Sequence, residues 1–457
     1  MENLYQGKKV LVLGLAKSGF YAAKLLDQLG AEVIVNDKKD LRKDPKLEEL
    51  NKLGIQVISG GHPADLLDKN FDILVKNPGI PYENKIIQEA QMKNIPVVTE
   101  VEIASEVAKG HFIGITGTNG KTTTTTIIQK MLAADRVEGM AYVSGNIGVP
   151  VSQIALDTKE ADDLVVELSS FQLLGTPRIQ PEIAVITNIT AAHIDYHGSR
   201  EAYLEAKLNL IKNQEKDDLL IYNADQEDLE KILKERSKAK MLAFSRKRYL
   251  KDGVSVKGQS IYYKEEKVAE LSDIFVKGKH NIENFLAAIA VAKSKKVGNQ
   301  SIQKVMREFK GVKHRTQFLL EWNERVFYND SKATNIEATE QALSGFEQPI
   351  ILLAGGLDRG DCYEPLIPYI KENVKGLVLF GETAEKLKET AKDAGITKIE
   401  IINEMDKAVK TAYQMSSEGD VILLSPAAAS WDQYKNFEVR GDCFIDAVDK
   451  LVKGEDE

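Results

Sequence analysis

The sequence is short of several things. It has two cysteines, Cys362 and Cys443, in 457 residues. That excludes a disulfide framework and a four-thiolate zinc site, and it fits a reducing compartment. No window approaches the roughly 18 consecutive apolar residues of a membrane span. Residues 1–9 lack the apolar stretch of a signal peptide. Low-complexity tracts are missing, which excludes wholesale disorder. An excess of basic charge is missing too. Lys plus Arg is 61 against 69 Asp plus Glu, a net charge of −8. This argues against a nucleic-acid coat and against a surface binder of anionic lipid. The expectation is a cytoplasmic monomer with no nucleic-acid partner and no membrane insertion.

What is present reads as α/β. At about 150 residues per domain the chain is too long for one core, and 43% hydrophobic residues suit globular domains. Short apolar runs alternate with helical patterns in three sections, expected at 1–106, 107–311 and 312–457. The first holds runs at Lys9–Gly14, Glu32–Asp37, Ile55–Ile58, Ile73–Val75 and Ile95–Val98, with a helix over Ser18–Leu29. This is the pattern of a doubly wound, Rossmann-like sheet. The second restarts at His111–Thr116 and continues with strands at Asp163–Leu168 and Ile183–Asn188. A charged, β-like stretch near 215–275 is expected to add an antiparallel patch, and Asn281–Lys293 reads as a helix. The third has apolar runs at Glu347–Ala354, Leu377–Phe380 and Asp420–Leu424, again Rossmann-like. The middle section alone is net positive, with 30 basic and 26 acidic residues.

Two glycine loops open helices. Gly14-Leu-Ala-Lys-Ser-Gly19 follows the first strand, but Ala16 stands where a dinucleotide fingerprint has its middle glycine. That glycine lets backbone approach a pyrophosphate, so NAD is disfavoured. Asp37 ends the second strand, where a ribose or base contact would sit. The stronger loop is Gly114-Ile-Thr-Gly117-Thr118-Asn119-Gly120-Lys121-Thr122-Thr123. A strand–loop–helix of this kind aims N–H groups and a helix N-terminus at phosphate. Lys121 would neutralise terminal phosphates, and the Thr122 hydroxyl would reach Mg²⁺. Ile115 replaces the first glycine of the strict motif, so the loop is a variant. Thr122–Thr126 are poor helix formers, and a helix starting there is expected to be capped by hydroxyls with phosphate at its mouth. No Asn-Lys-x-Asp segment reads guanine.

Other chemistry-bearing groups stand at strand ends. Glu167 ends Leu164-Val-Val-Glu-Leu168, where a carboxylate holds Mg²⁺ directly or through water; otherwise it is a surface acid. His193 follows the next strand as a second candidate ligand, and His197 is less clear. Lys207 lies on the helical run Glu201–Ile211, where a solvated lysine is the plain reading. In the third section, Asp330, Lys332 and Thr334, then Asp358-Arg359-Gly360, then Ser425–Phe437, form three polar loops. They suggest one crevice at a sheet's carboxyl edge, with Lys332 and Arg359 able to clamp a carboxylate.

Together these segments resemble the Mur ligase family of peptidoglycan synthesis. The resemblance rests on Gly117-Thr-Asn-Gly-Lys-Thr122, His280-Asn281-Ile-Glu-Asn284, Gly311-Val-Lys-His314-Arg315, Lys76-Asn-Pro-Gly-Ile-Pro81, Glu167–Leu173, Asn329–Asn335 and Ser425–Phe437, and it covers essentially the whole chain. It implies three domains: a UDP-substrate binder, a central P-loop-type ATP domain, and a Rossmann-like amino-acid domain. It also implies an ATP- and Mg²⁺-dependent ligase that adds D-glutamate to UDP-N-acetylmuramoyl-L-alanine through an acyl phosphate. By residue it implies Leu15, Ala16 and Lys17 near the diphosphate, Asp37 and Lys38 near uracil, and Asn146 at the muramoyl end. Asn281, Asn284, Arg315 and Asp330 would join the loop at ATP, and Lys332, Thr334, Ser430 and Phe437 would surround D-glutamate. Lys207 matches a lysine that is carbamylated in the family, which would make it a metal ligand beside His193. Arg359 lies in a variable loop and gains no role. Another Mur-type or a folylpolyglutamate-type ligase, sharing the ATP chemistry with a different acceptor, is the alternative.

Overall fold

A computed structural model describes residues 4–190, 194–276 and 278–454, without the side chains of 194 and 195. It forms two compact units, Met1–Leu271 with Glu283–Val305 and Ser272–Ile282 with Met306–Glu457. Three sheets make up the α/β architecture, two in the first unit and one in the second.

The first sheet holds β1 (Lys9–Leu13), β2 (Glu32–Asp37), β3 (Gln56–Ser59), β4 (Ile73–Lys76) and β5 (Val97–Val98). Its order is β3-β2-β1-β4-β5, and every pair is parallel. The order reverses between β1 and β4, which opens a crevice at their carboxyl ends. The expected strand at Ile95–Val98 shrinks to two residues because Pro96 has no N–H for the ladder. The helix Lys17–Gln28 buries Phe20, Ala22, Ala23, Leu25 and Leu26 on one face. It ends where Gly30 takes a left-handed φ of 79°.

The second sheet contains β6 (His111–Thr116), β7 (Ala141–Gly145), β8 (Asp163–Glu167), β9 (Ile183–Ile186), β10 (Leu219–Asn223), β11 (Lys240–Ser245), β12 (Val254–Lys257), β13 (Ser260–Tyr263) and β14 (Glu266–Glu270). The order is β14-β13-β12-β11-β10-β9-β6-β8-β7. The antiparallel patch is smaller than the charged stretch suggested. Strands β10, β11 and β12 extend the parallel sheet, and only the β12–β13 and β13–β14 pairs are antiparallel. The helix Glu227–Arg236 between β10 and β11 buries Leu229 and Leu233 and supplies the parallel crossover.

The two sheets of this unit are pinned by the helix Glu100–Val107. Glu100 accepts from the Ser152 N–H at 2.9 Å, and Glu102 accepts from the Arg178 N–H at 2.9 Å. Glu106 accepts from Arg178 Nε at 2.6 Å and from the Tyr5 hydroxyl.

The second unit's sheet holds β15 (Gln317–Trp322), β16 (Arg325–Asn329), β17 (Ile350–Gly355), β18 (Val374–Phe380), β19 (Ile399–Ile401) and β20 (Val421–Leu424). Their order is β15-β16-β20-β17-β18-β19, parallel except for the β15–β16 hairpin. Polar loops leave the carboxyl ends of β16, β17 and β20, which are neighbours in the sheet.

Candidate functional site

The phosphate loop runs from Thr116 at the end of β6 to the helix Lys121–Ala134. Its glycines are demanded by position. Gly117 has φ 152°, and a Cβ there would collide with Thr187 Oγ1. Gly120 has φ 80°, and a Cβ there would collide with Asn284 Oδ1. The expectation of hydroxyl capping fails. Gly120 itself is the N-cap, and no side chain caps the helix. Thr126 spends its hydroxyl on the Thr122 carbonyl at 2.8 Å. The first-turn N–H groups therefore keep no side-chain acceptor of their own, the arrangement an anion can use.

The loop is held from behind by residues that sequence reasoning had not assigned a role. The Thr118 N–H donates to Asn188 O at 2.8 Å, and the Asn119 N–H donates to Asn188 Oδ1 at 2.9 Å. The Thr187 hydroxyl donates to Asn119 O at 2.7 Å, and the Tyr203 hydroxyl donates to Thr118 Oγ1 at 3.2 Å. A clue lay in the text: polar Thr187 and Asn188 directly follow the apolar run of β9.

Two lysines converge on this loop. Lys121 Nζ donates to Gly117 O at 2.9 Å and to Thr118 O at 2.8 Å. Lys207 Nζ donates to the same Gly117 O at 2.7 Å and lies 4.7 Å over the Tyr203 ring. Lys207 is not a solvated lysine; it is 1% exposed. Burial first, and then the charge of Lys121, push it down to about 6, against the opposing pull of Glu167.

Glu167 is also 1% exposed, so it is no surface acid. Asn146 Nδ2 donates to its Oε1 at 2.9 Å, while Oε2 is buried with no hydrogen-bond partner among the described residues. Such an oxygen is costly unless something pairs with it, and a divalent cation fits. Among the described residues no group of three His, Cys, Asp or Glu side chains gathers to bind a metal. His193 lies outside the described residues.

The first sheet's crevice gathers Leu15 and Asp37: the Leu15 N–H donates to Asp37 Oδ2 at 2.6 Å, and Asp37 Oδ1 accepts from the Lys39 N–H at 2.8 Å. Lys17 Nζ donates to Gly148 O, two residues past Asn146. Ala16 is the N-cap of the helix that follows, and Lys38 is exposed beside Asp37.

Asn284 joins the loop, since its Oδ1 accepts from the Thr124 hydroxyl at 3.2 Å. Asn281, Arg315 and Asp330 belong to the second unit. There the buried Asp330 accepts from the Thr316 N–H at 2.9 Å and from the Ser425 hydroxyl at 3.0 Å. Burial outweighs these bonds and the nearby Arg315, raising it to about 7. Lys332 Nζ lies 4.9 Å over the Phe437 ring, which unites two of the expected D-glutamate residues. Ser430 is buried, and Thr334 half-buried, at the ends of β20 and β16. Arg359 stacks 4.7 Å over the exposed Trp431, next to Ser430.

Arg440 was missed. Fully buried, it donates from Nε to Ser331 Oγ at 3.1 Å, and from its other nitrogens to Gly355 O at 3.2 Å, Ser331 O at 2.9 Å and Ala428 O at 3.1 Å. One guanidinium thus ties the three strand-end loops. Its signal was an arginine on the apolar stripe Arg440, Phe444, Ala447, Val448.

Known proteins resemble this chain along most of its length. Residues 115–292 match the Mur ligase middle domain, 314–428 the Mur ligase glutamate ligase domain, and 8–99 the MurD-like N-terminal domain of Mur ligases. The chain belongs to the Mur ligase family. It is 54% identical over 453 residues to the UDP-N-acetylmuramoylalanine--D-glutamate ligase of Ligilactobacillus salivarius, covering 99% of this chain and 98% of that one. The enzyme of the same name from Lactiplantibacillus plantarum is 54% identical, over 98% and 97% of the two chains. Among solved structures, the MurF ligase of Thermotoga maritima in complex with ADP shares the fold, with a TM-score of 0.59 at 17% identity over the whole of both chains.

Proposed function

We propose that the chain is an ATP-dependent ligase that joins D-glutamate to UDP-N-acetylmuramoyl-L-alanine in peptidoglycan synthesis, acting as a monomer in the cytoplasm. The observation that carries this is 54% identity, over nearly the full length, to ligases named for that reaction. No helix among the described residues is long and apolar enough to cross a membrane.

A carboxylate is a poor electrophile at neutral pH, so it is activated first. The alanyl carboxylate attacks the γ-phosphorus of ATP, ADP leaves, and an acyl phosphate forms. The free amine of D-glutamate attacks its carbonyl carbon, and the tetrahedral intermediate expels phosphate. In this reading Gly117–Thr123 cradle the phosphates, with Lys121 offsetting the charge that spreads over the transferring group. Asn284, Asn281, Arg315 and Asp330 serve ATP; Leu15, Ala16, Lys17, Asp37 and Lys38 serve the UDP moiety; Asn146 serves the muramoyl end. Lys332, Thr334, Ser430 and Phe437 hold D-glutamate. Bound Mg²⁺ would neutralise phosphate charge, held by Thr122, Glu167, His193 and a carbamate on Lys207. Glu167 Oε2, which has no hydrogen-bond partner among the described residues, and the two lysines crowded on the Gly117 carbonyl support that donor set.

The test is ADP release in a coupled assay with each component omitted in turn. Release should require ATP, UDP-N-acetylmuramoyl-L-alanine and D-glutamate together. Equal release with another amino acid in place of D-glutamate would displace this acceptor.

A further inference from the structure

Only two lysines among the described residues are buried to about 1% exposure: Lys207 and Lys76. Lys76 ends β4, with Leu13 of β1 as its register partner, at the point where the strand order reverses. Its ammonium donates to Pro78 O at 3.1 Å and lies 4.7 Å over the Tyr82 ring. Among the described residues no carboxylate pairs with it.

The segment it supports, residues 77–82, is one wall of the crevice. A Cβ on Gly14 would sit 3.0 Å from Asn77 Cβ and from Ile80 Cδ1, so the two strand-end loops touch. Asn77 Nδ2 donates to Ser18 Oγ at 3.1 Å, at the start of the helix that follows the first glycine loop. On its far side the segment reaches the phosphate-loop domain. The Tyr82 hydroxyl donates to Leu174 O at 3.1 Å, and Ile80 O accepts from the Tyr196 hydroxyl at 3.4 Å.

A buried ammonium with no counter-ion among the described residues is expensive, and an apolar side chain of similar length would be cheaper. The expense makes sense if an anion arrives at the adjacent strand ends. We propose that Lys76 is a positioning residue for the UDP-linked substrate, a buried cation that holds segment 77–82 in shape and lends its charge to the diphosphate bound at the ends of β1 and β4. This rests on the reading of that crevice given under the proposed function.

Lys76 shares its face of the sheet with Leu74, packed with Leu13 of β1 and with Ile86 and Ile87 of the helix Lys85–Met92. Among the described residues the titratable group against it is Tyr82, itself pushed up to about 12 by burial. Burial alone lowers Lys76 to about 8.

The experiment is calorimetric binding of UDP-N-acetylmuramoyl-L-alanine alone between about pH 7 and 9. Wild-type affinity should fall about tenfold across that range as Lys76 loses its proton. Lys76→Arg, which stays charged, should bind with nearly flat pH dependence. Lys76→Met should bind about tenfold more weakly at pH 7, also flat, with ATP affinity unchanged. Wild-type affinity in Lys76→Met at pH 7 would overturn the proposal, as would an unchanged pH profile in Lys76→Arg. If Lys76→Met does not fold, the wild-type and Lys76→Arg profiles still decide. A wild-type protein that fails to bind this substrate at pH 7 would instead sink the functional reading along with the proposal.

Discussion

Lys207 offers the sharpest perturbation. Its amino group shares the Gly117 carbonyl with that of Lys121, and the residue is 1% exposed. An ordinary lysine is about 0.1% neutral at pH 7.5. With its pKa lowered to about 6, Lys207 is about 97% neutral there, roughly a thousandfold gain in the form that attacks CO₂. Carbamylation would turn that neutral amine into an anion facing the cationic Lys121. The sign follows: as pH falls through about 6 the amine protonates, the carbamate is lost, and turnover should fall with it. Lys207→Ala should lose about a thousandfold or more in kcat, because phosphoryl transfer leans on charge stabilisation. Added formate or acetate should restore part of the rate by supplying a carboxylate in the cavity left behind. Labelled bicarbonate should give a carbamate carbon signal in the wild type that is missing from Lys207→Ala. Near-normal turnover in Lys207→Ala, or no rescue together with an unmodified Lys207 mass, would refute this reasoning.

Other perturbations follow from the same contacts. Gly120→Ala forces a side chain into φ 80° against Asn284 Oδ1; it should cost about 1–2 kcal/mol in stability and raise KM for ATP, checked by denaturant unfolding and steady-state kinetics. Arg440→Met should destabilise by about 3–5 kcal/mol, because four acceptors in three loops lose their buried donor; unfolding of the second unit by urea measures it. Burial of Glu102 raises it to about 7 from an ordinary 4.5. The folded state therefore holds the proton more tightly, and this group's stabilising contribution is complete below about pH 4.5 and lost as pH rises through 7. Glu102→Gln should thus gain about 1–3 kcal/mol over wild type between pH 5 and 8, read as a widening gap in Tm.

Much of the fold was legible because the strands are buried parallel ones. β2 and β6 match their apolar runs residue for residue, bounded by polar or glycine residues that end the run. The stretch 215–275 misled because its parallel strands are short and lie among charged loops, so charge masked the βαβ repeat that Glu227–Arg236 completes. The β15–β16 hairpin was unread because β15 is only half-buried and its alternation is broken by a bulge near Leu320. In the site, the phosphate loop was legible from its glycines. The burial of Lys76, Lys207 and Arg440 was not, because a single charged residue shows its surroundings only once distant loops close over it. The missing hydroxyl cap has the same origin. Threonines after Lys121 look like caps in one dimension, but a left-handed Gly120 already ends the loop.

The most direct test of the central claim follows one oxygen atom. With the alanyl carboxylate of UDP-N-acetylmuramoyl-L-alanine labelled with oxygen-18, turnover with ATP and D-glutamate should deliver one labelled oxygen into each released phosphate. Attack of that carboxylate on the γ-phosphorus makes the P–O bond that the acyl phosphate later carries away. Unlabelled phosphate, released at the rate of amide formation, would contradict the account.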